Sequence, residues 1–393
     1  MDNRQISELR ADTPGCSEVL HFNNAGAALQ PKPVFDAVIE HLQLEYNIGG
    51  YEAKAKAQEK LDYFYTAFAS LLNARPEEIA YAENATRAWD MAFYAIPFSA
   101  GDRILTSQAE YASNYMAYLQ VARRFAVKIE VVGNDESGQI CVEQLEQAIE
   151  SDVKLISISH IPTQGGLVNP AAEVGKVARK YNILYLLDAC QSVGQMPLDV
   201  QEIGCSMLTG TGRKYLRGPR GTGFLYIKHS ILGQLDPPFV DLHSANWIDH
   251  ERFELRPDTK RFENWECFFA GKIGLAIAVD YALKIGLPTI RDRVWDLADH
   301  FRNRLRLLPG ITVQDQGIEK CGIVTFTKTD ETASTITARL LAGGINTSVA
   351  TADSARLDMG ARGLQEMVRA SVHYYNTVEE IERFLDALID PKN

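Results

Sequence analysis

Residues 183–227 read ILYLLDACQSVGQMPLDVQEIGCSMLTGTGRKYLRGPRGTGFLYI. Ile183 to Leu187 form an unbroken apolar run that ends in one carboxylate, Asp188. That is the pattern of a strand buried on both faces of a parallel sheet, with a functional residue at its carboxyl end. Lys214 follows amid small residues, and a glycine-rich turn and another apolar run, to Ile227, close the stretch. Working outward, Arg103–Ser107, Lys128–Val132 and Lys154–Ser159 alternate with helical patterns, as a doubly wound sheet requires. Glu78–Glu83 reads as one more short strand.

A strand-end acid, a lysine and a glycine-rich turn together suit pyridoxal 5′-phosphate (PLP). Such chemistry needs a lysine amine for a Schiff base, a carboxylate that keeps the pyridine nitrogen protonated, and donors for a phosphate. Three motifs stand in order: Asp188-Ala189-Cys190-Gln191, Thr211-Gly212-Arg213-Lys214 and Gly218-Pro219-Arg220-Gly221-Thr222-Gly223. In wording and spacing the chain resembles the fold-type I PLP enzymes, specifically the class V aminotransferase and cysteine desulfurase superfamily. The resemblance runs from the NNAGAAL stretch at Asn23 to RASVHYYNT at Arg369. It implies an α/β fold: a large PLP-binding domain around a mixed, mostly parallel seven-stranded sheet, over residues 21–265. A smaller α+β C-terminal domain would span 266–393, with residues 1–20 as an arm packed against it. Two domains suit 393 residues.

A net charge of −11 argues against nucleic acid or an anionic membrane as the main partner. No apolar run approaches the ~20 residues that span a bilayer. Met1–Cys16 lacks the apolar stretch of a signal peptide. The six cysteines have no paired metal spacing, so the expectation is free thiols in a reducing cytoplasm and no metal.

The resemblance assigns roles residue by residue. Lys214 carries the cofactor, Asp188 faces its ring nitrogen and Gln191 its phenolate oxygen. Ala85 and Thr86, at the start of a helix over Ala88–Ala95, hold the phosphate with Thr211 and Arg213; a plain Asn84 helix cap is the alternative. Tyr111 stands where relatives stack a histidine on the ring. An aromatic face still stacks, but it loses the proton-exchanging nitrogen. His160 stands where desulfurases carry asparagine, at a strand's carboxyl end, with Thr163 close behind. Asn24 and Ala25 lie in the segment that covers the substrate carboxylate; for Asn24 a simple turn role is as good. Gly49-Gly50-Tyr51 breaks two helical patterns and would place Tyr51 at the site mouth. Trp265 lies in the segment that crosses a homodimer interface to the partner's cofactor phosphate. There Glu266 replaces the usual threonine, and would turn to Arg213 or the substrate amine. Arg369, mid-strand, matches the arginine that clamps the substrate carboxylate, a bidentate task suited to a guanidinium.

The desulfurases' mobile cysteine precedes the arginine strand. Here Ser348–Gly360 contains none, and persulfide transfer needs a thiolate. The resemblance is therefore nearest the C–S β-lyase branch, which includes cyst(e)ine lyases and the hercynylcysteine sulfoxide lyases of ergothioneine biosynthesis. The expected reaction is β-elimination from a cysteine S-conjugate or its sulfoxide, giving thiol or sulfenate, pyruvate and ammonia. Three rivals stand: a class V aminotransferase or epimerase, a desulfurase with an atypical thiol, and a PLP-fold remnant acting as a scaffold.

Overall fold

The computed structural model describes residues 1–389. A helix, Asn3–Ala11, precedes strand β1 (Leu20–His21), and helices Lys32–Ile48, Gly50–Lys56 and Gln58–Leu72 lead to β2 (Ile79–Ala82). Helices then separate β3 (Arg103–Ser107), β4 (Lys128–Val132), β5 (Val153–Ser159), β6 (Leu184–Asp188) and β7 (Met207–Thr211), in most cases one between each pair, and β8 (Gly223–Ile227) follows. After a hairpin, β9 (Ala245–Asp249) and β10 (Arg252–Leu255), come the long helices Phe269–Ile285 and Leu287–Arg306. The last part holds β11 (Ile311–Val313), β12 (Ile323–Lys328), β13 (Ile345–Asn346), β14 (Ser348–Thr351) and β15 (Glu366–Ser371), closed by helix Val378–Ile389.

The large sheet has seven strands in the order β2-β8-β7-β6-β5-β3-β4. The pairings among β3 to β7 are parallel, while β8 runs against both its neighbours. It is the mixed, mostly parallel sheet that the sequence led us to expect. Strand β6 is its middle strand, and Tyr185 to Asp188 are all buried. Leu186 and Leu187 are fully buried, each worth about 1.5–3 kcal/mol of transfer from water. The apolar run is thus explained by helices covering both faces, and Asp188 is carried inward by its position at the strand's end.

The second sheet, β11-β12-β15-β14, is antiparallel throughout. The sequence predicts one strand over 344–349, but that run divides. Ile345–Asn346 pairs with β1, and Ser348–Thr351 pairs with β15. One extended run therefore serves two sheets, which periodicity cannot reveal. The β1 pairing fastens the N-terminal segment, as does Arg10, which donates to Tyr375 O at 2.7 Å and pairs with Glu380 at 2.8 Å.

The predicted break at Gly49 is present: its φ of +93° is a conformation that favours glycine, and it separates two helices. The hairpin β9–β10 has no counterpart in the sequence reading. Most of its residues are exposed, so no buried run marks it. Among the described residues no single helix is long and apolar enough to cross a membrane.

Candidate active site

Ser159, Asp188 and Thr211 are the last residues of β5, β6 and β7, and all three line one cavity of about 260 Å³. Ligands of open α/β sheets bind at this carboxyl edge. The facing wall is the start of helix Ala85–Phe93, where Asn84, Ala85 and Thr86 line the same space. Asn84 does cap the helix, accepting from Arg87 N at 2.8 Å. The other first-turn N–H groups have no partner within the helix, and its dipole favours an anion there. Glycine at 223 allows this approach: a Cβ would lie 2.8 Å from the Asn84 carbonyl carbon. The cap reading and the anion reading are therefore compatible.

Lys214 and Arg213 line the cavity too. Burial, reinforced by Arg213 and Arg369, lowers the Lys214 amine to about 8, although Cys190 and Asp188 pull the other way. Roughly a tenth of the amine is thus neutral, and nucleophilic, at pH 7, far more than for a free lysine. Arg213 donates to Thr211 Oγ1 at 3.4 Å. Asp188 is held by two donors: Cys190 N at 2.9 Å and Asn114 Nδ2 at 3.0 Å. Gln191 donates to Ala25 O at 3.1 Å and Thr163 Oγ1 at 3.3 Å.

Arg369 lies behind Thr163, donating to its carbonyl at 3.0 Å and its hydroxyl at 2.8 Å. Its other partners are Ser348 Oγ at 3.0 Å and Asn23 Oδ1 at 3.5 Å. Every partner is neutral, and among the described residues no carboxylate pairs with it. Burial lowers the guanidinium to about 10, so it stays charged at neutral pH.

The structure thus gathers Ala85, Thr86, Tyr111, Thr163, Asp188, Gln191, Thr211, Arg213 and Lys214 around one cavity. Seven expected residues do not line it: Arg369, which lies behind Thr163, and six others. His160 falls between Ser159 and Ile161, which both line the cavity, so strand alternation turns it to the other side. It is buried, held neutral by a pKa near 4, and its Nδ1 has no partner. Asn24 is consumed by structure: its amide donates to Ser371 O at 2.7 Å and its oxygen accepts from Tyr375. Ala25 is buried and touches the site only through the carbonyl that Gln191 meets. Tyr51 is 70% exposed on a helix and does not line the cavity of its own chain. Trp265 is half-exposed beside Lys54, at a separate depression. Glu266 is exposed, and Arg213 turns to Thr211 instead.

Among the lining residues that escape the sequence reading are Trp89, Asn114, Ser159, Ile161, Cys190 and Arg220. Asn114 sits in the first turn of the helix Ala112–Phe125, just after Glu110. Cys190 is a correction. On sequence alone it is expected to turn away from the ring, but a residue two after Asp188 shares that carboxylate's face under alternation, and the strand itself stops at Asp188. The chain then turns as Cys190 N binds the Asp188 carboxylate, which brings the thiol to the cavity.

These features fit PLP. An amine and a carboxylate share one cavity wall, and a helix N-terminus waits for a phosphate. Gln191 Oε1 is buried without a partner, and Arg369 is a half-buried cation without an anion.

Comparison with known proteins agrees. The family described as aminotransferase class-V matches residues 20–384. A probable cysteine desulfurase of Methanothermobacter thermautotrophicus is 29% identical over 386 residues, covering 96% of each chain. Another, from Xylella fastidiosa, is 30% identical over 380 residues, covering 94% of this chain and 90% of that one. The apo structure of a cysteine desulfurase from Thermococcus onnurineus superposes with a TM-score of 0.91 at 27% identity, covering 97% and 96% of the two chains.

Proposed function

The chain belongs to the class-V aminotransferase family, and from that premise we propose that this PLP-dependent enzyme is a C–S β-lyase. Its substrate would be a cysteine S-conjugate or the corresponding sulfoxide, with hercynylcysteine sulfoxide among the candidates. The observation that carries the reading concerns sulfur. Of the six cysteines only Cys190 lines the cavity, and burial and the Asp188 charge push its thiol well up, so it is not a thiolate. Cys205, Cys267 and Cys321 are pushed up to about 12 by burial. Segment 348–360, where the resembled desulfurases carry their cysteine, is strand, turn and helix without one.

PLP supplies, when bound, an electron sink for charge that develops at the substrate Cα. The chain does the rest. Lys214 Nζ would hold the cofactor and would take the Cα proton. Asp188 keeps a negative charge at the ring-nitrogen position. Arg369 holds the substrate carboxylate, so the Cα–H and Cβ–S bonds are oriented for loss. The helix start at Ala85 and Thr86, with Thr211 and Arg213, anchors the phosphate.

The test is pyruvate release from a panel of S-substituted cysteines and their sulfoxides. Cys190→Ala should leave that release nearly intact, at a stability cost of about 1 kcal/mol where the wall is loosened. The second reading, persulfide transfer, is favoured by the desulfurase names of the relatives. It needs Cys190 as its thiol: loss of sulfur release in Cys190→Ala, with PLP still bound, would put it in place of the lyase. An aminotransferase would instead consume a 2-oxo acid without freeing sulfur.

A homodimer with shared sites belongs to the same proposal. Exposed apolar side chains support it: Phe35, Ile39 and Tyr46 on one helix, and Trp247 and Phe253 on the hairpin. Sedimentation at micromolar concentration should give the dimer mass. A fully active monomer would contradict this.

A further inference from the structure

Behind the wall that carries Asp188 lies a second carboxylate, Glu110, which the reaction described above does not use. Its Oε1 accepts from Ser159 Oγ at 2.6 Å, Tyr111 N at 2.8 Å and Asn114 Nδ2 at 2.9 Å. Its Oε2 accepts from Thr106 Oγ1 at 3.3 Å and Tyr118 OH at 3.4 Å. The same Asn114 Nδ2 donates to Asp188 Oδ2 at 3.0 Å, so one amide bridges two carboxylates. Tyr111, Ser159, Asn114 and Asp188 all line the cavity, and they come from three different elements. Glu110 is their common anchor.

We propose that Glu110 is a positioning residue for the cofactor: it fixes Asp188 through Asn114, and its charge adds to the field that keeps the ring nitrogen protonated. This rests on the PLP site and not on the β-lyase reading.

A carboxylate taken out of water needs donors and a counter-charge. Glu110 has the donors. The groups facing it are Thr106, Asn114, Tyr118, Ser159 and the like-charged Asp188, with Tyr185 and Ser157 behind them. Among the described residues no lysine, arginine or histidine pairs with it. Burial, helped by the Asp188 charge, raises its carboxyl to about 7 against the pull of Ser159, Tyr111 and Asn114. A protonated ring nitrogen held by Asp188 is the missing cation. Bringing it in favours ionised Glu110, so loading near neutral pH should release a proton from this group.

The test uses the holoenzyme without substrate. Glu110→Gln keeps the size and most of the hydrogen bonds but removes the charge. Two quantities are read: PLP retained on dialysis, and the pH midpoint of the visible band of the bound cofactor. The expected result is several-fold weaker retention and a midpoint about one unit lower, since the protonated cofactor loses a nearby anion. Glu110→Asp, which keeps the charge, should restore most of the midpoint. An unchanged midpoint in Glu110→Gln at saturating PLP overturns the proposal, even if retention falls, because a purely structural anchor would behave that way. Should Glu110→Gln fail to fold, Asn114→Ala decides, and unchanged retention there also overturns it. A wild-type protein with no visible band would instead sink the cofactor reading itself.

Discussion

Lys214→Ala is expected to bind PLP without a covalent link and to lose turnover by at least about 10³-fold. The size follows from two roles vanishing together, the nucleophile that holds the cofactor and the base that takes the Cα proton; general base catalysis alone is worth about 10²–10⁴. The lysine is suited to both because its amine is lowered to about 8, chiefly by burial. Its neutral fraction therefore grows as pH rises through that value. Capture of PLP by cofactor-free protein should accelerate between about pH 7 and 9 accordingly. Borohydride reduction of the wild type should fix the cofactor to the peptide containing Lys214 and to no other. Labelling of a different lysine would remove the assignment, and with it the roles given to Arg213 and Thr211.

Much of this architecture is legible in the sequence because the sheet is buried on both faces. Runs such as Leu184–Leu187 and Phe224–Ile227 have to be apolar there, and they announce themselves. The three motifs are legible for a related reason: each fills the end of a strand or the turn after it, so order along the chain maps onto order around the cavity. What fails is finer. Alternation continues only while the backbone is extended. It separates Ser159 from His160 once the strand is known, and it sets Cys190, two residues after Asp188, on that carboxylate's own side, where the chain turns around it. Asn24 misleads because its side chain is spent on Ser371 and Tyr375, partners more than three hundred residues distant in sequence. The hairpin β9–β10 has exposed faces and so no pattern. Trp265 is expected at a site shared with a partner and Tyr51 at the mouth of the site, and in a single chain both are exposed.

The second large effect is expected at Arg369. A guanidinium drawn this far out of water ordinarily has an acidic partner, yet at the half-buried Arg369, Thr163, Ser348 and Asn23 supply only neutral oxygens. Those contacts fix the fork without cancelling its charge, which leaves the cation for an incoming anion. Because its pKa remains near 10, the charge is present through neutral pH and is lost only as pH rises past that value. Arg369→Ala should therefore raise KM for an amino-acid substrate, with a loss of about 2–3 kcal/mol in kcat/KM, or roughly 30–150-fold. Arg369→Lys should recover part of this, since a point charge replaces the bidentate fork. The discriminating measurement is a substrate without a carboxylate, an S-substituted cysteamine. It should react poorly with the wild type and no worse with Arg369→Ala. If the alanine variant instead loses both substrates equally, or keeps the wild-type KM for the amino acid, the arginine serves the β14–β15 layer around Ser348 and the carboxylate must be held elsewhere.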